Sequence, residues 1–168
     1  MNAASIELLI LDVDGVLTDG RLIMASEGEP AKPFHAQDGC AIKLWQRCGK
    51  RVAILSGRPS AAVTRRAAEL GIEHVRTGAV DKLSAYTEIV SLLGCTDAVA
   101  AYVGDDLPDV GPMRRCGLPI AVANAVPAVK QVSQYVTRRR GGEGAVAEVV
   151  ELLLRKQKRW SHILFGQV

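Results

Sequence analysis

The sequence predicts an α/β fold: a doubly wound, mostly parallel, Rossmann-like sheet with a projecting β-hairpin and no cap domain. Three observations predict it. Short apolar runs alternate with longer amphipathic segments, as right-handed βαβ units covered on both faces require. Several of those runs end abruptly in aspartate, serine or glycine. One stretch, "GRLIMASEGEPAKPFHAQDG" at 20–39, breaks the alternation.

The strands read in order as Leu8–Val13, Val52–Leu55, His74–Arg76, Ala100–Val103, Ile120–Val122 and Tyr135–Thr137. Between them, apolar residues at helical spacing predict helices near Ala41–Cys48, Ala61–Leu70, Lys82–Leu93, Val110–Cys116 and Pro127–Val132. "GGEGAVAEV" enters a last helix from about Ala145 to Trp160. In the irregular stretch, two extended runs, Arg21–Ala25 and Lys32–Ala36, flank the turn-rich "SEGEP" and predict the hairpin. It is too short to be a separate lid. With 168 residues and 18.0 kDa, a single domain over 1–168 is expected, with the hairpin at about 20–36 and a tail at about 161–168.

Composition narrows the function. Hydrophobic (48%) and charged (23%) contents suit an ordinary globular domain. The net charge of +3 comes from "TRRRGG" and "LLRKQKRW", and aromatics at 4% do not interleave with those bases, so no nucleic-acid partner is expected. The four cysteines form no C-x-x-C pair, which fits reduced thiols in the cytoplasm. No stretch approaches the ~20 apolar residues of a membrane span.

"LLILDVDGVLTDG" carries the chemistry. An apolar strand delivering Asp12 and Asp14 side by side is costly unless a cation offsets the repulsion. In open α/β sheets ligands bind beyond the carboxyl ends of the strands. There the sequence also delivers Ser56 and Arg58 from "LSGRPS", and Asp105, Asp106 and Asp109 from "GDDLPD"; Lys82 opens a nearby helix. Carboxylate oxygens without histidine or thiolate favour Mg²⁺. Asp12 is then suited to attack phosphorus, with Asp14 as general acid and base. Ser56 and Lys82 would hold phosphoryl oxygens and Asp105 would complete the metal site. For Asp109, metal contact and loop ordering both stand open, as they do for Asp106.

"DVDGVLTDG", "LSGRPS", Lys82 and "GDDLPD" resemble, in order, the four motifs of the haloacid dehalogenase-like phosphatases. With "DGCAIKLW" and "YVTRRRGGEGAVAEV", the chain is similar to the 3-deoxy-D-manno-octulosonate 8-phosphate phosphatase group from Leu8 to about Leu154. The resemblance implies Mg²⁺ held by Asp12, the Asp14 carbonyl and Asp105. It implies a small phosphorylated sugar acid as substrate, contacted by Asp14, His35, Ala36, Gln37, Asp38, Gly39, Lys43, Arg58, Arg66 and Lys82. It also implies a homotetramer in which hairpins and C-terminal tails meet at shared active sites; "FGQV" loosely resembles the family's tail. The group usually has Arg where this chain has Gln37, a weaker, neutral partner for a carboxylate, so a nine-carbon sugar acid is an alternative substrate. Arg58 favours the octulosonate. A receiver-like signalling domain also pairs acids with lysine, but its phosphoacceptor follows a middle strand, and here that strand ends in "LSGR".

Overall fold

The computed structural model describes residues 3–24 and 30–164. Strands β1 (Leu8–Leu11), β2 (Arg51–Leu55), β3 (His74–Arg76), β4 (Ala100–Gly104), β5 (Leu118–Ala121) and β6 (Tyr135–Val136) form one sheet ordered β3-β2-β1-β4-β5-β6. Every pairing in it is parallel. The helices are α1 (Ala36–Arg47), α2 (Ala61–Leu70), α3 (Lys82–Leu92), α4 (Val110–Arg115), α5 (Pro127–Val132), α6 (Ala145–Lys156) and α7 (Trp160–Leu164).

The central strands are buried throughout, so β1 and β4 read as unbroken apolar runs rather than alternating ones. The chain leaves β1 for β2 and β3 on one side, then returns through α3 to β4 on the other. This reversal opens a crevice between the ends of β1 and β4. Right-handed crossovers put α1 and α2 on one face and α3, α4 and α5 on the other. Helix α6 returns to pack on α1. Trp45 of α1 is fully buried, and its indole N–H donates to the Arg51 carbonyl at 3.0 Å.

Several element ends lie one or two residues from the sequence reading, β5 (Leu118–Ala121 rather than Ile120–Val122) among them, and four departures have further consequences. Helix α1 begins at Ala36 rather than Ala41, because Gln37 and Asp38 already belong to its first turn despite the unfavourable Gly39. Ala36 is therefore helical and not the end of a hairpin arm. Of that hairpin, one antiparallel bridge, Ile23 to Ala31, is described; Ala25 lies outside the described residues. The final helix is two: α6 stops at Lys156, the Gln157 amide donates to the Ile6 carbonyl at 2.9 Å, and Lys158 turns with φ 59°. That turn lets Arg159 reach the Cys48 carbonyl at 3.1 Å before α7 starts. Finally, β1 ends at Leu11, so Asp12 and Val13 already belong to the turn.

Candidate active site

Asp12 leaves β1 at the crevice, its N–H donating to the Val103 carbonyl of β4 at 3.1 Å. Asp105 leaves β4 alongside it. Lys82 is the first residue of α3, fixed there because Asp81 caps the helix by accepting from the N–H groups of Leu83 (2.9 Å) and Ser84 (3.1 Å). The Lys82 ammonium reaches Asp12 Oδ1 at 2.8 Å and Asp109 Oδ1 at 2.7 Å. Carboxylate oxygens of Asp12, Asp105 and Asp109 lie within 4.8 Å of one another.

Asp109 is completely buried and has no lone pair to spare. Its Oδ1 accepts from Lys82 Nζ at 2.7 Å and from the Tyr102 hydroxyl at 2.8 Å. Its Oδ2 accepts from the N–H of Asp105 (2.9 Å) and of Asp106 (3.2 Å). A carboxylate offers about four acceptor sites and all are used. Asp109 thus orders the loop and Lys82. Asp106 is exposed and caps a short 3-10 turn through the Leu107 N–H at 2.8 Å.

The remaining acids are short of positive charge. Burial pushes the Asp12 carboxyl up to about 6; the Asp109 charge adds to this and Lys82 opposes it. Burial, then the charges of Asp12 and Asp109, push Asp105 up to about 8. For Lys82 burial acts downward, but the two carboxylates outweigh it and its pKa is raised. Asp105 Oδ1 is buried with no hydrogen-bond partner among the described residues. An unpartnered carboxylate oxygen beside a second carboxylate, with only oxygen donors around, fits a hard divalent cation such as Mg²⁺. Gly15 faces this spot with φ +93°, and a Cβ there would lie 2.0 Å from Asp105 Oδ2, so the turn admits only glycine.

Asp14 lies at the rim with its side chain 20% exposed, ion-paired with Lys32 through Oδ1 and 3.8 Å from Arg58 Nε through Oδ2. Ser56 is buried at the end of β2, its hydroxyl accepting from the Arg58 N–H at 3.3 Å. A cleft of about 920 Å³ opens nearby, lined by Lys32, Phe34, Arg65, Arg66 and Glu69 among others. Arg66 is held by Glu69 at 2.9 Å and by the Phe34 ring at 5.9 Å. Gly39 lets the Arg66 guanidinium lie close to α1, since a Cβ there would come within 2.3 Å of Arg66 Nη2. Lys43 is exposed on α1, where its charge reaches Glu69.

The segment 35–39 splits. Ala36 and Gln37 are exposed, and Gln37 Oε1 accepts from Arg139 Nη1 at 3.0 Å. Asp38 is turned inward, its Oδ1 accepting from the Ala147 N–H at 2.8 Å in the first turn of α6. His35 is half-buried, with Nδ1 unpartnered among the described residues. Lys32, Tyr102 and Asn124 escape sequence reasoning. Asn124 ties two loops together, donating to the Gly15 carbonyl at 3.0 Å and accepting from the Gly141 N–H at 2.7 Å. Neither Lys32 nor Asn124 sits in a motif, and Tyr102 stands just ahead of "GDDLPD" in a strand that reads as core; their hydrogen-bond partners reveal all three.

Residues 73–150 match the model of the haloacid dehalogenase-like hydrolases. A 3-deoxy-D-manno-octulosonate 8-phosphate phosphatase of Yersinia pestis is 45% identical over 157 residues, 94% of this chain and 84% of that protein. The Escherichia coli K12 phosphatase of the same name is 45% identical over 155 residues, covering 92% and 82%. The Moraxella catarrhalis phosphatase, solved with magnesium ion, phosphate ion and a KDO molecule, superposes with a TM-score of 0.95 at 43% identity, covering 98% of this chain and 94% of that one. The cobalt-bound form from Haemophilus influenzae gives 0.95 at 38% identity, covering 99% and 98%. A site of buried carboxylates at the β1/β4 crevice and likeness over nearly the full length lead to one conclusion: the chain belongs to the 3-deoxy-D-manno-octulosonate 8-phosphate phosphatase family of haloacid dehalogenase-like hydrolases.

Proposed function

We propose that this chain is a Mg²⁺-dependent phosphatase that hydrolyses 3-deoxy-D-manno-octulosonate 8-phosphate, a small phosphorylated sugar acid, through an aspartyl-phosphate on Asp12. One observation carries the reading: Asp12 and Asp105 share a crevice with the Lys82 ammonium, and Asp105 Oδ1 has no hydrogen-bond partner among the described residues. The relatives' names point to the same ester.

A carboxylate oxygen of Asp12 attacks phosphorus, and the bond from phosphorus to the ester oxygen breaks. Asp14 gives its proton to that leaving oxygen. A water then attacks phosphorus, Asp14 takes the water's proton, and the bond to Asp12 breaks to release phosphate. Ser56 and Lys82 hold the phosphoryl oxygens. Mg²⁺, held by Asp12, Asp105 and the Asp14 carbonyl, supplies positive charge that lets an anionic nucleophile approach an anionic ester. Arg58, Arg66, Lys43 and the 35–39 segment surround the sugar acid. At Gln37 the family's usual positive charge is missing, and Arg139 stands beside it with an exposed guanidinium.

The same reading extends to assembly and place. The chain acts as one domain with a hairpin and tail, in a homotetramer whose neighbouring copies help close each site. Leu22, Ile23 and Met24 support this, at 40%, 54% and 72% exposure on the outgoing hairpin arm. The residues of "FGQV" lie outside the described residues. The cytoplasm fits the free cysteines, and no described helix is long and apolar enough to cross a membrane.

The test is a phosphate-release screen with Mg²⁺ across octulosonate, nine-carbon sugar-acid, hexose and nucleotide phosphates. The octulosonate ester is expected to be the best substrate, with EDTA stopping release. A protein inert toward every sugar-acid phosphate and toward an aryl phosphate would refute the proposal.

A further inference from the structure

We infer that Lys32 is a positioning residue for Asp14, fixing which carboxylate oxygen exchanges the proton during turnover. This rests on the reading of Asp14 as general acid and base. The Lys32 ammonium pairs with Asp14 Oδ1, and its side chain is only 5% exposed. A lysine in an irregular surface segment ordinarily extends its charge into water. Here the ammonium is drawn inward, a desolvation that Asp14, its partner among the described residues, offsets.

The geometry separates the two oxygens of Asp14. Oδ1 is occupied by Lys32. Oδ2 is 3.8 Å from Arg58 Nε, beyond hydrogen-bond reach, and the Arg58 side chain is 63% exposed. Oδ2 is therefore the oxygen able to carry a proton to the leaving group and to take one from water. Lys32 donates a hydrogen bond to Oδ1 and takes no part in the proton transfer itself. Lys82 cannot serve in its place, because it is committed to Asp12 and Asp109. Lys32 also lines the cleft that holds Arg66, so it stands between that cleft and the acid. The irregular segment after the first strand thereby takes part in the chemistry.

The test compares kcat/KM of the Mg²⁺-loaded protein on an alkyl ester, the octulosonate 8-phosphate, and on p-nitrophenyl phosphate, whose leaving group needs no proton. Lys32→Met is expected to lower the alkyl value by ~10- to 100-fold and the aryl value by less than ~3-fold, as for misplacing a general acid. Lys32→Arg restores the alkyl value, since it keeps a charged donor. Adding Lys32→Met to Asp14→Asn costs nothing further, because Lys32 acts only through Asp14. Equal losses on both esters for Lys32→Met, or additive losses in the double variant, overturn the inference. If Asp14→Asn is selective for the alkyl ester and Lys32→Met is not, the inference alone fails. If Asp14→Asn hits both esters equally, the acid role of Asp14 fails and the inference falls with it. Should Lys32→Met not fold, Lys32→Gln, uncharged but of similar length, is put to the same comparison.

Discussion

Replacing Asp109 by asparagine tests whether this residue is the buried clamp of the site. The wild-type carboxylate accepts from Lys82, Tyr102 and the N–H groups of Asp105 and Asp106. Asparagine keeps one oxygen and turns the other into a donor, so two of those four donors face an N–H group whichever way the amide turns. Hydrogen bonds to a charged partner are worth about 1.5–3 kcal/mol each, giving a loss of roughly 3–6 kcal/mol. Against this, removing the Asp109 charge relieves its repulsion with Asp12 and Asp105. A net cost of about 3 kcal/mol follows, or a melting temperature lower by roughly 6–12 °C for a chain of this length. Thermal unfolding by circular dichroism in EDTA measures it. Asp106→Asn is the control: that residue is exposed and a change within about 0.5 kcal/mol is expected. A melting temperature for Asp109→Asn within about 2 °C of wild type would refute the clamp.

Three further outcomes follow from the same geometry. Gly15→Ala puts a methyl group 2.0 Å from Asp105 Oδ2, so Mg²⁺ binding by calorimetry and phosphatase activity should both disappear; retention of either contradicts the packing of that turn. Asp12 and Asp105 have raised pKa values of about 6 and 8, so from about pH 4 to 8 the metal-free folded protein holds protons that the unfolded chain has released. Its stability then falls as pH rises through that window, and Mg²⁺, which must displace those protons, should raise the melting temperature more at high pH than at low; a pH-independent increment contradicts this. Asp38→Ala removes the acceptor for the Ala147 N–H at the start of α6 and should cost about 1–2 kcal/mol in urea unfolding, whereas an unchanged midpoint would mean that α6 needs no cap.

Much of this was legible in the sequence because local chemistry and fold agree. Helices Ala61–Leu70 and Pro127–Val132 and strand His74–Arg76 follow periodicity and turn residues alone. The convergence of Asp12, Asp105 and Lys82 follows from parallel topology, since every strand end points to the same edge of the sheet. What was not legible depends on tertiary partners. The saturation of Asp109 requires Lys82 from the start of α3 and Tyr102 from within β4, and no local pattern says that both side chains turn toward it. The inward turn of Asp38 depends on α6 arriving against α1. Lys32 reads as the start of an extended hairpin arm, but no strand forms at 32–35, so the alternation of a strand does not tell which way its side chain faces. The break after Lys156 is set by the Gln157 amide finding the Ile6 carbonyl, a contact no local pattern announces.

The most direct test of the central claim is the stereochemical course at phosphorus, followed with a phosphorothioate ester that carries one heavy oxygen isotope stereospecifically and is hydrolysed in water carrying another, so that the released thiophosphate is chiral. Transfer first to Asp12 and then to water inverts the phosphorus twice, so net retention is expected. Net inversion would mean that water attacks the ester directly and that Asp12 never carries the phosphoryl group.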